Sequence, residues 1–224
     1  MSSNYPVRAF LLDKKGFAEE LTYNELDIVD RTNKILWVHF DYLSKEANEW
    51  ITNKSGIEDV AIDALLTEET RPRTTILNDS LLIALRGVNL NPNSKPEDMI
   101  SIRLYVSPSL IISTRRRNLL TVTELIDNLK RGIGPKSSSE FLVELTYRIT
   151  DRMDSVIDQI QDRTDFLEEN LLDTADTKFR NEILAIRRET IILKRYLSPQ
   201  KEALNKLYND KITWVNEYQK IEIR

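Results

Sequence analysis

A chain of 224 residues, 41% hydrophobic and 30% charged, can bury a core as one large domain or as a domain with an appendage, and its composition is neither disordered nor membranous. Its net charge of −4 excludes general nucleic-acid binding, which needs a basic footprint. Zero cysteines and one histidine exclude disulfides, cysteine nucleophiles and a clustered Cys/His zinc constellation.

The opening Met1-Ser2-Ser3-Asn4-Tyr5-Pro6 lacks a basic segment followed by an apolar core, so no secretory signal is read and a cytoplasmic location is the default. Apolar runs such as Leu81–Leu85 fall short of the roughly 18–20 residues a membrane span needs. Strands at Val7–Leu12 and Glu19–Tyr23 flank the turn-like Asp13-Lys14-Lys15-Gly16, predicting a hairpin. Ile35–Phe40 is a continuous apolar run of strand length, the pattern of a central strand covered on both faces. His39 within it reads as a satisfied core or edge histidine rather than a base.

Two short helices are expected next. One carries Ala47, Trp50 and Ile51; the other opens on a Ser55-Gly56-Ile57-Glu58 capping box and carries Ile57, Val60, Ala61, Ala64 and Leu65. Strands at Arg73–Leu77 and Leu81–Arg86 join through Asn78-Asp79, and strands at Ile100–Val106 and Leu110–Thr114 through Ser107-Pro108-Ser109. Thr121 to Glu124 caps a further helix ending near Gly132 and Gly134-Pro135, which is the best domain boundary in the chain. The expected fold is therefore α/β (α+β): a layered mixed sheet with flanking helices over residues 1–136, then a long helical hairpin and the start of a stalk helix over 137–224.

In that second part Ser137–Glu140 forms a capping box, and Leu142, Leu145, Ile149, Met153, Val156, Ile160 and Leu167 recur at helical spacing with one turn skipped at Arg163. After a break at Leu171–Asp176 a second helix carries Phe179, Ile183, Ile186, Thr190, Leu193 and Leu197, with Pro199 expected to end it. A third pattern, Leu204, Leu207, Trp214, Tyr218 and Ile221, runs to the last residue, which predicts that more stalk helix and then two membrane segments are encoded beyond Arg224.

The charged motifs have two readings each. Pro72 holds Arg71 extended, so Arg71 and Arg73 point the same way and form a fork for an anion or for neighbouring helix carboxylates. Arg86 shares a strand face with Leu82 and Ala84, and Arg103 with Ser101 and Tyr105, so both arginines are expected on one side of the sheet, tying it to helices or meeting an anion. Asp151, Asp154, Asp158, Asp162, Asp165 and Glu169 follow helical intervals and place six carboxylates on one flank, either a solvated face or a weak oxygen site for a hard divalent cation. Arg148, Arg152 and Arg163 are near enough to neutralise part of that row. No nucleophile elbow or nucleotide fingerprint is present, so there is no positive case for an enzyme.

The stretch Thr70-Arg71-Pro72-Arg73, Leu85-Arg86-Gly87-Val88-Asn89-Leu90-Asn91-Pro92, Pro96-Glu97-Asp98-Met99, Ser101-Ile102-Arg103 and Thr114-Arg115-Arg116-Arg117 resembles the cytoplasmic domain of the CorA-type divalent-cation transporters, in their zinc-transporter (ZntB-like) branch. The likeness runs more weakly from Ile35 to Tyr196-Leu197-Ser198-Pro199-Gln200. It implies a homopentamer in the full-length protein, at the cytoplasmic face of the cell membrane through helices outside this chain, with zinc or magnesium as transported or regulatory ion and no tightly bound cofactor. The family's Gly-Met-Asn pore sequence lies outside these residues. The alternative is a free-standing soluble scaffold that binds a partner helix with its hairpin; a hydrolase or transferase working from the Asn89–Pro96 loop is a distant third.

Overall fold

The computed structural model describes residues 6–68, 71–170 and 177–223. Thr70, the break expected at Leu171–Asp176 and Arg224 lie outside the described residues. Strands β1 (Val7–Leu12), β2 (Ala18–Leu21), β3 (Ile35–Asp41), β4 (Arg73–Leu77), β5 (Ser80–Gly87), β6 (Ile100–Val106) and β7 (Leu110–Arg115) form one sheet in the order β2-β1-β3-β7-β6-β5-β4. All pairings are antiparallel except β3 with β7, which is the long-range join of the N-terminal hairpin to the β4–β7 meander.

The uninterrupted apolar run of β3 is explained by its two covered faces. Ile35 and Trp37 enter one core while Leu36, Val38 and Phe40 enter the other. Helices α1 (Lys45–Asn53) and α2 (Asp59–Leu66) bury Trp50, Ile51, Ala61 and Leu65 in the second core. The first core is closed by α3 (Leu120–Lys130), α4 (Ser138–Asn170), α5 (Thr177–Asn209) and α6 (Glu217–Ile223). The glycine-rich turn into α4 thus does not divide the hydrophobic interior: Phe141, Leu142, Leu145 and Ile149 of α4 share the core with Phe10, Trp37 and Leu125.

Two expected capping boxes are displaced, each because the side chain is used elsewhere. Ser55 Oγ donates to the Ile51 carbonyl and closes α1, so α2 begins later, with Glu58 as its N-cap, and leaves Val60 exposed. Thr121 is buried inside the first turn of α3, whose N-cap is Leu119, while Glu124 receives Arg148 and Arg152 from α4. At α4 the expected cap forms, with Ser137 Oγ accepting from the Glu140 N–H and the Glu140 carboxylate accepting from the Lys136 N–H.

Pro199 does not end α5; the helix continues to Asn209. An internal proline costs about 3 kcal/mol through a lost hydrogen bond and a steric clash. Gln200, Ala203 and Leu207, all buried just beyond it, offset that cost by holding the last turns against the sheet, where Thr74 Oγ1 donates to the Ala203 carbonyl at 2.8 Å. The pattern from Leu204 to Ile221 is likewise not one helix. The chain turns after Asn209, buries Ile212 and Val215, and ties Trp214 Nε1 to the Asp79 carbonyl at 2.7 Å. Asn216 and Gln219 then cap α6 reciprocally, and Tyr218 and Ile221 face outward.

Gly16 joins the N-terminal hairpin to the turn before α4. Its φ is +111°, its carbonyl accepts from the Gly134 N–H at 2.9 Å, and a Cβ there would meet the Gly132 carbonyl oxygen at 2.8 Å. Gly16→Ala is expected to cost about 1–2 kcal/mol in chemical denaturation through backbone strain and that close contact; an unchanged midpoint would show that the turn can shift freely.

Candidate functional site: an arginine cleft and an acidic helix face

The pairing of β5 with β6 sets Ala84 opposite Arg103 and Arg86 opposite Ser101. Directly opposed residues share a sheet face, so Arg86 and Arg103 do emerge on one side. Arg73, at the start of β4, is opposite Ala84 from the other flank and joins them in the same row. Arg73 is exposed, as is Arg71, which precedes β4 outside any regular element, and neither forms an ion pair among the described residues.

Arg103 is only 1% exposed. Its Nη2 donates to the Glu68 carbonyl at 2.5 Å and its guanidinium lies 4.6 Å from the centre of the Tyr42 ring. Its Nε and Nη1 are buried and find no hydrogen-bond partner among the described residues. Burial holds this guanidinium below its ordinary pKa, the charges of Arg86 and Arg73 push the same way, and Tyr42 opposes them. Arg86 donates from Nη1 to the Met99 carbonyl at 3.1 Å, stacks at 4.5 Å on Tyr196 of α5, and donates its backbone N–H to the buried Gln200 at 2.7 Å. Gln200 in turn donates to the Met153 sulfur at 3.4 Å, so sheet, α5 and α4 meet at one side chain.

A cleft of about 430 Å³ opens beside these groups, lined by Arg86, Arg116, Arg117, Tyr42 and Tyr196 and by three carboxylates, Glu68, Glu97 and Asp98. The charged motifs that stand apart in sequence, from Arg86 through Asp98 to Arg117, thus converge at one end of the sheet. Asn89 shapes the loop beneath, its side-chain oxygen accepting from both the backbone and the side chain of Asn91.

The six carboxylates Asp151, Asp154, Asp158, Asp162, Asp165 and Glu169 are all exposed on α4. The arginines expected to neutralise them point elsewhere. Arg148 binds Glu124 and Glu144, Arg152 binds Glu124, and Arg163 bridges to Glu182 and Glu189 of α5. Arg163 therefore fills the skipped turn of the apolar stripe with a cross-helix ion pair; Glu189, and then Glu182, raise its pKa. Among the described residues no three His, Asp or Glu side chains come together as a metal site.

His39 is the satisfied core histidine expected. Arg115 Nε donates to its Nε2 at 2.9 Å, which leaves the ring proton on Nδ1 to be donated to Ser113 Oγ at 2.7 Å. Ser113 Oγ also accepts from Trp37 Nε1 at 2.8 Å. This buried chain was not foreseen, because it is assembled by the parallel β3–β7 register, which sets His39 beside Ser113.

The seven-stranded mixed sheet followed by a long helical hairpin has the fold of the soluble domain of CorA from Methanocaldococcus jannaschii, which superposes with a TM-score of 0.74 at 15% identity over 100% of this chain and 87% of that one. The family model described as "CorA-like Mg2+ transporter protein" matches residues 32–224, and the chain belongs to that family. It is 36% identical over 214 residues to the "Divalent cation transporter CmaX" of Pseudomonas aeruginosa, covering 94% of this chain and 64% of that protein. It is 34% identical over 211 residues to the "Zinc transport protein ZntB" of Pectobacterium carotovorum, covering 94% and 63% respectively. The crystal structure of the ZntB cytoplasmic domain from Vibrio parahaemolyticus superposes with a TM-score of 0.80 at 26% identity, over 96% of this chain and 85% of that one. The chain spans 63–64% of the length of these two curated relatives, and no helix of the described residues is long and apolar enough to cross a membrane.

Proposed function

We propose that this chain is the cytoplasmic domain of a ZntB-like divalent-cation transporter, acting at the inner face of the cell membrane in a homopentamer. The observation that carries the reading is the match, over nearly the whole chain, to a ZntB cytoplasmic domain. Zinc, with magnesium as the second candidate, is the cargo, and the domain contributes to assembly and to sensing of the cation. The exposed carboxylates from Asp151 to Glu169 are its oxygen ligands. Exposed and lacking a preformed cage, they bind weakly, with strong salt dependence and little preference between zinc and magnesium.

Cells carrying the complete transporter gene are expected to show gene-dependent movement of radioactive zinc, and no such movement of zinc or magnesium would overturn the assignment. In the purified chain, replacing Asp154, Asp158 and Asp162 together by Asn removes three charges at nearly constant shape. That variant is expected to lose any metal-induced rise in melting temperature, whereas an inert acidic face would leave the response unchanged. A submicromolar, zinc-selective site measured by calorimetry would contradict weak binding on this row.

A further inference from the structure

The acidic row on α4 has a counterpart of opposite sign on α5. Arg180, Arg187, Arg188, Lys194, Arg195 and Lys201 are all exposed, and none of them forms an ion pair among the described residues. The acidic residues within that span, Glu182 and Glu189, are both turned to α4 and held by Arg163. Setting the exposed Glu202 against Lys201 still leaves five of the six cations uncompensated. On α4 the signs are reversed. The exposed carboxylates from Asp151 to Glu169 form no ion pair among the described residues, and the two arginines within their span are engaged elsewhere, Arg152 by Glu124 and Arg163 by α5.

The contacts of Met153 with Gln200 and of Arg163 with Glu182 and Glu189 define the sides on which the two helices face each other. At about 100° per residue, the carboxylates lie about half a turn round α4 from those contacts, and the cations about a third to half a turn round α5. The hairpin therefore carries negative charge along one edge and positive charge along the other. Like charges at such spacings repel, and the geometry keeps each row away from the one that would neutralise it. The rows also match in length: at about 1.5 Å per residue, Asp151 to Glu169 spans about 27 Å and Arg180 to Lys201 about 31 Å.

We propose that the basic edge of α5 is a docking surface for a second copy of this chain, which sets the acidic edge of its own α4 against it. This rests on the homopentamer reading above and names the surfaces that meet. Because the two edges are different surfaces, the contact is heterologous, and repeating it about an axis closes a ring. The acidic edge is also the proposed cation ligand, so a divalent cation and the neighbouring copy compete for the same carboxylates.

The test is analytical ultracentrifugation of the purified chain over a concentration series in low and high salt. Self-association is expected in about 50 mM NaCl and is expected to weaken at least about tenfold in about 500 mM, where the charges are screened within a few ångströms. R187E/K194E reverses the basic edge and D158K/D162K the acidic one. All four side chains are exposed, so the melting temperature of each variant stays close to that of the parent. Each variant alone is expected to associate at least about tenfold more weakly. An equimolar mixture of the two is expected to regain association, since one contact then joins two unaltered edges and the next joins two reversed ones; an unfolded variant could not be rescued in this way. Association that resists salt and both reversals would overturn these surfaces while leaving the homopentamer reading in place. A parent that stays monomeric in low salt at the highest concentration reached would overturn them as well. Binding of the parent, but not of R187E/K194E, to phosphatidylserine vesicles without self-association would assign the basic edge to an anionic bilayer and overturn the second copy as its partner.

Discussion

Trp37→Ala is expected to lower the unfolding free energy by about 3–5 kcal/mol, the range for emptying a large aromatic from a packed core, and to lower the melting temperature by about 10 °C or more. Trp37 is fully buried. Its ring centre lies 5.2 Å from Phe10 of β1 and 4.7 Å, edge-on, from Phe141 of α4. It is therefore the joint between the sheet and the first turn of the long hairpin, and the cavity cannot collapse without moving α4. Trp37→Phe separates packing from hydrogen bonding. It keeps an aromatic between Phe10 and Phe141 but removes the indole N–H from Ser113, so a smaller loss of about 1–2 kcal/mol is expected. A Trp37→Ala loss below about 1 kcal/mol would show that the hairpin does not depend on this contact.

The sheet was legible in the sequence because its central strands are short, largely apolar runs punctuated by unambiguous turns. Asn78 takes a φ of +51° between β4 and β5, as the Asn78-Asp79 turn demands. The common face of Arg86 and Arg103 follows from the antiparallel pairing of β5 with β6. The convergence of Arg116 and Arg117 on the same cleft does not, because it depends on where β7 enters the sheet, beside a strand some seventy residues earlier. The misread features share one cause, which is that local chemistry was outbid by tertiary contacts. Ser55 and Glu124 carry the residues of a cap, but one closes the preceding helix and the other receives two arginines from α4. Pro199 breaks a helix in isolation, yet the buried turns after it keep α5 intact. At Arg163 the sequence showed only a missing apolar residue, since its partners Glu182 and Glu189 are seven residues apart on the other helix.

The buried histidine predicts how stability responds to acid. Burial is the main reason His39 has a pKa well below its ordinary value, reinforced by Arg115 and by Arg8 on β1. Arg8 is paired opposite His39 across the β1–β3 ladder, and Asp41, which stands near Arg115, is two residues further along β3. A proton on Nε2 would expel Arg115 from its hydrogen bond and place a second positive charge beside it. The unfolded chain takes up a proton below its ordinary histidine pKa of about 6.5 while the native state stays neutral. This contribution is therefore complete above that value and is lost as pH falls toward the depressed native pKa. Below the ordinary histidine value the slope approaches at most about 1.4 kcal/mol per pH unit, one proton's worth. Asp13, Glu20, Glu25 and Asp30 also have lowered values, but their stabilisation is lost only in the carboxylate range below about pH 4.5, so the two windows separate. His39→Gln is expected to be less stable at neutral pH, because the match to both Arg115 and Ser113 is broken, and to show a flat profile between about pH 7 and 5. Urea titrations across that interval would read the slopes directly. A parent profile as flat as that of the variant would mean that His39 protonates in place, with Arg115 moving aside at little cost.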